Sequence, residues 1–285
     1  MGVVVLHFQF WPGVQATLRA LEAQTLKPTR LVVVDNCSRD GSVEQLRAAR
    51  PDVDVVGAGS NDGYGPGMNL GMQRLASGSD LDAFLLLTHE CRLAEDCLQR
   101  LAARLDERPS VGVVGPILGH LDRPEKVWSA GGLLAPSDWR SRHVDSPDAM
   151  SDWAEVGPRD VDWVDGAALL VRREAWGQAG PFDEHYFMYC EEMDFCCRLR
   201  RRGWAVECLP AARAWQRPGP STERLLTRNR LRFLSRNAPR GVFLRELGHL
   251  TLQTARPGNR SKPRVTARRL GLLDFTLRRW GRIDG

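Results

Sequence analysis

Unbroken apolar runs alternate with helically spaced apolar positions along the first two-thirds of the chain. Residues 3–8 form a nearly continuous apolar run, and Val14, Leu18 and Leu21 recur at helical spacing within 14–24. Residues 31–34 make a second, β-branched run that ends at Asp35. Asp40 or Ser42 can cap a helix reaching Arg50, and Pro51 closes it. Residues 53–56 predict a third strand, followed by a glycine-rich stretch over 57–71. Residues 83–87 predict a fourth strand and 94–104 a further helix. This alternation predicts an α/β fold with a mostly parallel, Rossmann-like sheet covered by helices on both faces.

After the apolar run 111–114 the pattern loosens. Residues 116–160 are rich in Gly, Pro, Ser and Asp with scattered tryptophans, which predicts loops and a small antiparallel excursion. Order returns with a strand over 163–172, a short helix over 173–179 and a helix over 191–202 stopped by Gly203. A last strand follows at 205–209. Residues 225–235 and 244–254 have amphipathic spacing and predict a helical, Arg-rich extension.

Composition narrows the class. With 42% apolar and 26% charged residues in 285, the chain can bury a sizeable core and is not intrinsically disordered. No apolar run approaches the roughly eighteen residues of a membrane span. Residues 1–10 lack a basic leader and contain His7 and Gln9, so a secretory signal is not expected. Seven cysteines without paired spacing point to free thiols in a reducing cytoplasm, and the lack of a Cys-x-x-Cys pair argues against structural zinc.

The net charge of +5 conceals an asymmetry: residues 216–285 carry +13 and the first 215 carry −8. An acidic body with a basic tail is not the footprint of a nucleic-acid-binding domain, and no nucleic acid is expected as partner. The tail suits an anionic surface such as the inner face of a membrane, or a solvated helical face.

Candidate chemistry sits at the strand ends. In an open parallel sheet, ligands collect beyond the carboxyl ends of the strands. Here those ends read His7, Asp35-Asn36, Asn61 and Thr88-His89-Glu90. The cluster 61–71 (NDGYGPGMNLG) has glycines that can pass close to a phosphate or base, or simply turn. It is neither a P-loop nor a dinucleotide fingerprint. Glu191, Glu192 and Asp194 fall in the first turn of a helix, where acids favour the positive end of the dipole. The aromatic segment 182–189 ahead of them supports a second reading, a desolvated carboxylate acting as general base.

Four motifs occur in order: 31–42 (LVVVDNCSRDGS), 61–71, 163–173 (WVDGAALLVRR) and 180–198 (GPFDEHYFMYCEEMDFCCR). Together they resemble the family-two inverting glycosyltransferases, most closely the rhamnosyltransferase-like branch, over residues 3–221. Residues 225–235 and 268–281 are similar to that branch's C-terminal extension. The resemblance implies a GT-A fold, with a nucleotide-binding half over about 1–115, an acceptor half over 116–221 and an extension over 222–285. It implies transfer from a dTDP-, UDP- or GDP-sugar to a hydroxyl of a glycan precursor, lipid-linked intermediate or secondary metabolite.

Roles follow position by position from the resemblance. Asp35, with the backbone near His7 and Phe8, would hold the nucleobase and ribose. Asn61, Tyr64, Gly65 and Asn69 would line the nucleotide. Glu90 would bind Mg²⁺ or Mn²⁺, with His89 and Gln216 as further candidate ligands. Trp163, Asp165, Gly166 and Ala167 would border donor sugar and acceptor. Glu192 would be the catalytic base, with Glu191 and Asp194 beside it. The chain departs from the family pattern at Thr88-His89-Glu90, where Asn-Pro-Asp or Asp-x-Asp is usual, at Gln216 in place of a histidine, and in using glutamate as base. Arg213 or Arg217 could partly replace the cation by pairing with phosphate.

Two other readings use the same features. The altered metal motif suits a weakened enzyme that only binds nucleotide sugars. A sugar nucleotidyltransferase would need a glycine-rich loop with Arg and Lys after strand one, which residues 8–15 lack.

Overall fold

Side-chain alternation across the first strand places it between two layers. In β1 (Gly2–His7), Val3 and Val5 enter one apolar cluster and Val4 and Leu6 another, all four buried. The same division holds in β2 (Arg30–Asp35), where Val33 opposes Val32 and Val34, and in β4 (Ala83–Thr88), where Leu85 and Leu87 oppose Phe84 and Leu86. Both faces are therefore covered, as continuous rather than alternating apolar runs require. The structure, a computed structural model, describes residues 1–78, 80–144, 149–153, 155–217, 219, 221–256 and 262–283.

One layer contains α1 (Trp11–Glu22), α2 (Ser42–Ala49) and α4 (Cys97–Glu107), which bury Leu18, Leu46 and Leu101 against the sheet. The other contains α3 (Tyr64–Ala76) and α6 (Glu191–Arg201). Between β2 and β3 (Asp54–Gly57), α2 starts one residue after Gly41. Asp40 Oδ1 there accepts from Ser42 N–H at 3.2 Å and Ser42 Oγ–H at 2.5 Å.

The main sheet runs β10 (Arg159–Asp160), β12 (Ala205–Gln216), β6 (Val111–His120), β11 (Ala168–Arg172), β4, β1, β2, β3. Pairing is parallel across β3-β2-β1-β4 and again between β6 and β12. Between them β11 runs antiparallel to both neighbours and leads into α5 (Arg173–Ala179). The strand expected over 163–172 thus begins at Ala168, because 163–167 are drawn off to form a wall described below. The strand expected at 205–209 continues to Gln216. Its register shifts between Leu209 and Arg213, around Pro210, and residues 213–216 then resume pairing with the extended β6.

The segment 116–160, expected as loops with a small antiparallel excursion, contains such antiparallel strands. It holds β7 (Arg123–Ser129), a hairpin of β8 (Gly132–Leu134) and β9 (Ser141–His143), a 3₁₀ turn at Met150–Trp153 and β10 (Arg159–Asp160). Positions 145–148 and 154 of that segment lie outside the described residues. A two-residue strand, β5 (Arg92–Leu93), pairs with the far end of β12.

The extension consists of α7 (Glu223–Asn237), α8 (Arg240–Ala255) and α9 (Pro263–Thr276). Many of its arginines hold the protein together. Arg224 forks onto Asp274 at 2.6 and 3.1 Å, Arg230 meets Glu246 at 2.9 Å, and Arg232 meets Asp183 at 2.6 Å. Arg228 is buried and donates to the carbonyls of Arg279 and Gly281 at 3.2 and 2.7 Å. The basic tail read from sequence is, at these positions, internal wiring.

Candidate active site

A cavity of about 860 Å³ opens at the carboxyl ends of β1 and β4 and is bounded opposite by the start of α6. That volume suits a small organic ligand. Glu90 and Glu192 both line it, as do Glu191 and Asp165.

The first wall comes from the parallel strands. Phe8 and Asn61 line the cavity, and Asn36 Nδ2 donates to Asn61 Oδ1 at 2.9 Å and to Gly63 O at 3.1 Å. Two nucleotide candidates from the same strand ends lie elsewhere. His7 is fully buried, bonded through Nε2 to Ser42 Oγ at 2.8 Å, and burial lowers its pKa to about 4. Asp35 turns both oxygens back to the Ser38 N–H at 3.2 Å. Neither lines the cavity.

The glycine cluster also divides. Tyr64 lines the cavity and its hydroxyl donates to Gly166 O at 2.8 Å. Gly65 and Asn69 do not line it. Asn69 is buried and clasps the 182–184 segment, with Nδ2 donating to Phe182 O at 2.9 Å and Oδ1 accepting from Phe182 N at 2.8 Å. Gly63 (φ +106°) passes the Phe187 carbonyl so closely that a Cβ there would overlap it, and a Cβ on Gly71 would overlap Val4. These glycines therefore serve close packing of α3 on β1 and on the 182–189 segment.

The second wall is the stretch ahead of β11. Trp163, Asp165, Gly166 and Ala167 all line the cavity. Ala167 O accepts from Thr88 N–H at 3.1 Å, which joins this stretch to the end of β4. Asp165 is held by the Ser129 hydroxyl, and burial raises its pKa.

The third wall is the start of α6. Two consecutive residues, Tyr189 (φ 75°) and Cys190 (φ 74°), adopt the left-handed conformation immediately before Glu191. Non-glycine residues pay for this conformation, so surrounding contacts must hold it. Asn229 of α7, fully buried, supplies them by donating to Met188 O at 2.7 Å and Tyr189 O at 3.0 Å. Glu191 and Glu192 each keep one buried oxygen without a partner. Burial, then the adjacent Glu192, pushes Glu191 well above the ordinary carboxylate range, and burial lifts Glu192 to about 7 with Asp165 as a lesser cause. Asp194 points elsewhere. It is fully buried, pairs with Arg198 at 2.9 Å and accepts from Asn237 Nδ2 at 2.7 Å, so it ties α7 to α6 and does not reach the cavity.

The end of β4 offers hard oxygen donors. Thr88, Glu90 and Gln216 line the cavity, and Trp215, next to Gln216, sits opposite Arg92 in the sheet. Gln216 Oε1 and Thr88 Oγ1 are buried without partners. A carboxylate, an amide oxygen and a hydroxyl fit Mg²⁺ or Mn²⁺ drawing its other ligands from a phosphate. Among the described residues no group of three or more His, Cys, Asp or Glu is placed to hold a metal alone. His89 packs edge-on against His7 at 5.3 Å, and its Nδ1 lies 3.3 Å from Leu6 O, while Nε2 is 3.9 Å from Glu90. Arg217 pairs with Asp122 at 2.8 Å.

Six of the eleven unpartnered buried polar side-chain atoms among the described residues belong to cavity-lining residues. Such groups are costly unless a ligand meets them. Sequence reasoning missed part of the wall: Trp128, Trp139 and His143 from β7 and the hairpin, and Arg230, Phe233 and Arg282 from the extension. The available signal was the scatter of tryptophans in a Gly/Pro/Ser/Asp-rich stretch, since indoles seldom decorate plain loops.

The profile of Glycosyl transferase family 2 matches residues 3–149, and that of Glycosyl transferase family group 2 matches residues 83–247. Among curated proteins, N-acetylglucosaminyl-diphospho-decaprenol L-rhamnosyltransferase of Mycobacterium tuberculosis is 27% identical over 239 residues, 79% of this chain and 78% of its own length. Among solved structures, GalNAc-T7 with UDP, GalNAc and Mn²⁺ superposes with a TM-score of 0.63 at 15% identity. That match covers 82% of this chain and 47% of the other, so this chain spans about half of GalNAc-T7. Mannosyltransferase PcManGT from Pyrobaculum calidifontis, in complex with GDP-Man and Mn²⁺, gives 0.57 at 14% identity, covering 97% and 86%. At these identities the structures establish the fold, which is GT-A.

Proposed function

The chain belongs to glycosyl transferase family 2, and from that premise we propose that it moves a sugar from a nucleotide-sugar donor to a hydroxyl of a glycan acceptor, with inversion. The observation that carries this reading is a shared cavity: Glu90 and Glu192 face one space, and Glu192 has a buried, unpartnered oxygen there. The reaction breaks the bond between the anomeric carbon and a phosphate oxygen through an oxocarbenium-like state. Glu192, poised near neutrality, takes the proton of the acceptor hydroxyl as that oxygen attacks from the opposite side. Glu90, Gln216 and Thr88 would hold Mg²⁺ or Mn²⁺, which when bound neutralises charge on the departing diphosphate. Phe8, Asn61 and Tyr64 border the nucleotide, and Trp163 to Ala167 the sugar.

Likeness to the mycobacterial rhamnosyltransferase favours a deoxysugar on dTDP as donor and a lipid-linked acceptor. Exposed Leu244 and Leu252 on α8, and Leu270 and Leu273 on α9, lie in the basic extension. Apolar side chains among cations suit docking on an anionic membrane face, where such an acceptor resides. Among the described residues no helix is long and apolar enough to cross a membrane.

The reading is tested by thermal shift with dTDP, UDP and GDP, each with and without Mn²⁺, followed by incubation with the matching nucleotide sugars. One nucleotide should stabilise the chain, more so with the cation, and its sugar should be released or transferred. Stabilisation without any release or transfer would leave a nucleotide-sugar binder instead.

A further inference from the structure

Ser129, at the end of β7, lies between two groups of the cavity wall. Its hydroxyl donates to Asp165 Oδ2, accepts from Gly131 N–H at 3.2 Å and lies 2.9 Å from His143 Nδ1. A hydroxyl has one proton and two lone pairs. With the proton on Asp165 and one lone pair on Gly131, the remaining lone pair takes a proton from His143 Nδ1–H. The neutral ring therefore carries its proton on Nδ1 and leaves Nε2 as a bare acceptor. Ring centroids place His143 5.8 Å from Trp128 and 5.1 Å from Trp163, and all three line the cavity that contains Glu192. Trp163 is buried against Gly132, where a Cβ would overlap its indole, so that side of the subsite is rigid. Trp128 is half-buried and offers its surface to the cavity.

We propose that His143, Trp128 and Trp163 form the acceptor subsite, that it takes a pyranose ring, and that one ring hydroxyl donates to His143 Nε2 while the apolar ring face lies on Trp128. The inference rests on the transfer reading above and names the class of its acceptor. A pyranose suits the site because it pairs a C–H face, which an indole covers, with hydroxyls that need acceptors at its edge. The chain Asp165–Ser129–His143 fixes the tautomer, as the second partner of a functional histidine generally does. His143 acts here as a positioning residue for the acceptor, and Glu192 remains the base.

The test uses the full chain with ¹⁵N-labelled histidine at pH 8 and a panel of methyl pyranosides, including the rhamnoside and the N-acetylglucosaminide. The free protein should show the Nδ1–H tautomer of His143, and a bound pyranoside should shift its Nε2 resonance. His143→Asn keeps a donor near Ser129 but removes the Nε2 acceptor, so pyranoside affinity should fall tenfold or more. His143→Gln, whose amide oxygen can reach the Nε2 position, should recover part of it. Trp128→Leu should weaken the same sugars with an unchanged tautomer. Nucleotide binding should stay within twofold in all three. An Nε2–H tautomer, undiminished affinity in His143→Asn, or no pyranoside binding at all overturns the proposal. Pyranoside binding without nucleotide binding would instead refute the transfer reading and leave the subsite standing.

Discussion

Asn229 holds the carbonyl of Tyr189 at 3.0 Å, and through it the C-terminal extension sets the backbone that delivers Glu191 and Glu192. The second amide proton goes to Met188 O at 2.7 Å. Two left-handed residues next to the cavity carboxylates are thus stabilised from a helix forty residues away. The extension is part of the active site's framework as well as a basic surface.

Replacing Asn229 tests that coupling. Asn229→Leu removes both amide donations to the part-buried Met188 and Tyr189 carbonyls and should cost about 2 kcal/mol of stability. Turnover should drop by more than the unfolded fraction explains, because residues 188–190 are free to relax. Kinetics well below the melting temperature, compared with nucleotide affinity, check this: kcat falls while donor binding persists.

Glu192 makes a pH prediction in two parts. A base must be ionised, so transfer should decline about tenfold per unit as the pH falls below about 7. For stability the sign is opposite to that of a salt-bridged acid. The folded chain holds the Glu192 proton up to about 7 and the unfolded chain to about its ordinary 4.5. The stability this adds is complete below 4.5 and is lost as the pH rises through 7. Glu192→Gln should therefore be more stable than the parent by about 3 kcal/mol at pH 8, with the difference falling below about 1 kcal/mol by pH 5. Urea denaturation at the two pH values measures it.

Gly71 and Gly63 make a paired prediction. Gly71→Ala meets Val4 in the core and should destabilise by about 1–3 kcal/mol with the cavity intact. Gly63→Ala meets the Phe187 backbone at a positive φ, so it should displace the 182–189 segment and reduce turnover as well. Melting temperature and kcat measured together separate the two.

Arg228 is buried with its guanidinium on the carbonyls of Arg279 and Gly281, just before cavity-lining Arg282. Arg228→Met should release residues 279–283 from α7. Hydrogen exchange should rise there first, with a stability loss of about 2–4 kcal/mol.

The parallel half of the sheet was legible in the sequence because burial on both faces turns β1, β2 and β4 into continuous apolar runs. The motif residues Asn61, Tyr64, Glu90, Asp165 and Glu192 were legible as candidates, and one cavity contains them. The antiparallel excursion in 116–160 was legible in kind, but not the bounds of the hairpin β8–β9, since its three-residue strands carry no period. Pro210 resembles a terminator, which hid the outer half of β12 behind a bulge. Asp194 was expected beside Glu192 at the site, but two helical positions differ by about 200° in direction, so it faces Asn237 instead. His143 was invisible because its meaning comes from Ser129 and Asp165, which only the fold brings to it.

The most direct measurement is single-turnover sugar transfer by the parent and by Glu192→Gln, with donor affinity determined in parallel at pH 8. The account expects transfer to fall by about 10²–10⁴-fold while the donor dissociation constant stays within a factor of three. Unchanged transfer by Glu192→Gln, or loss of donor binding in place of turnover, would contradict it.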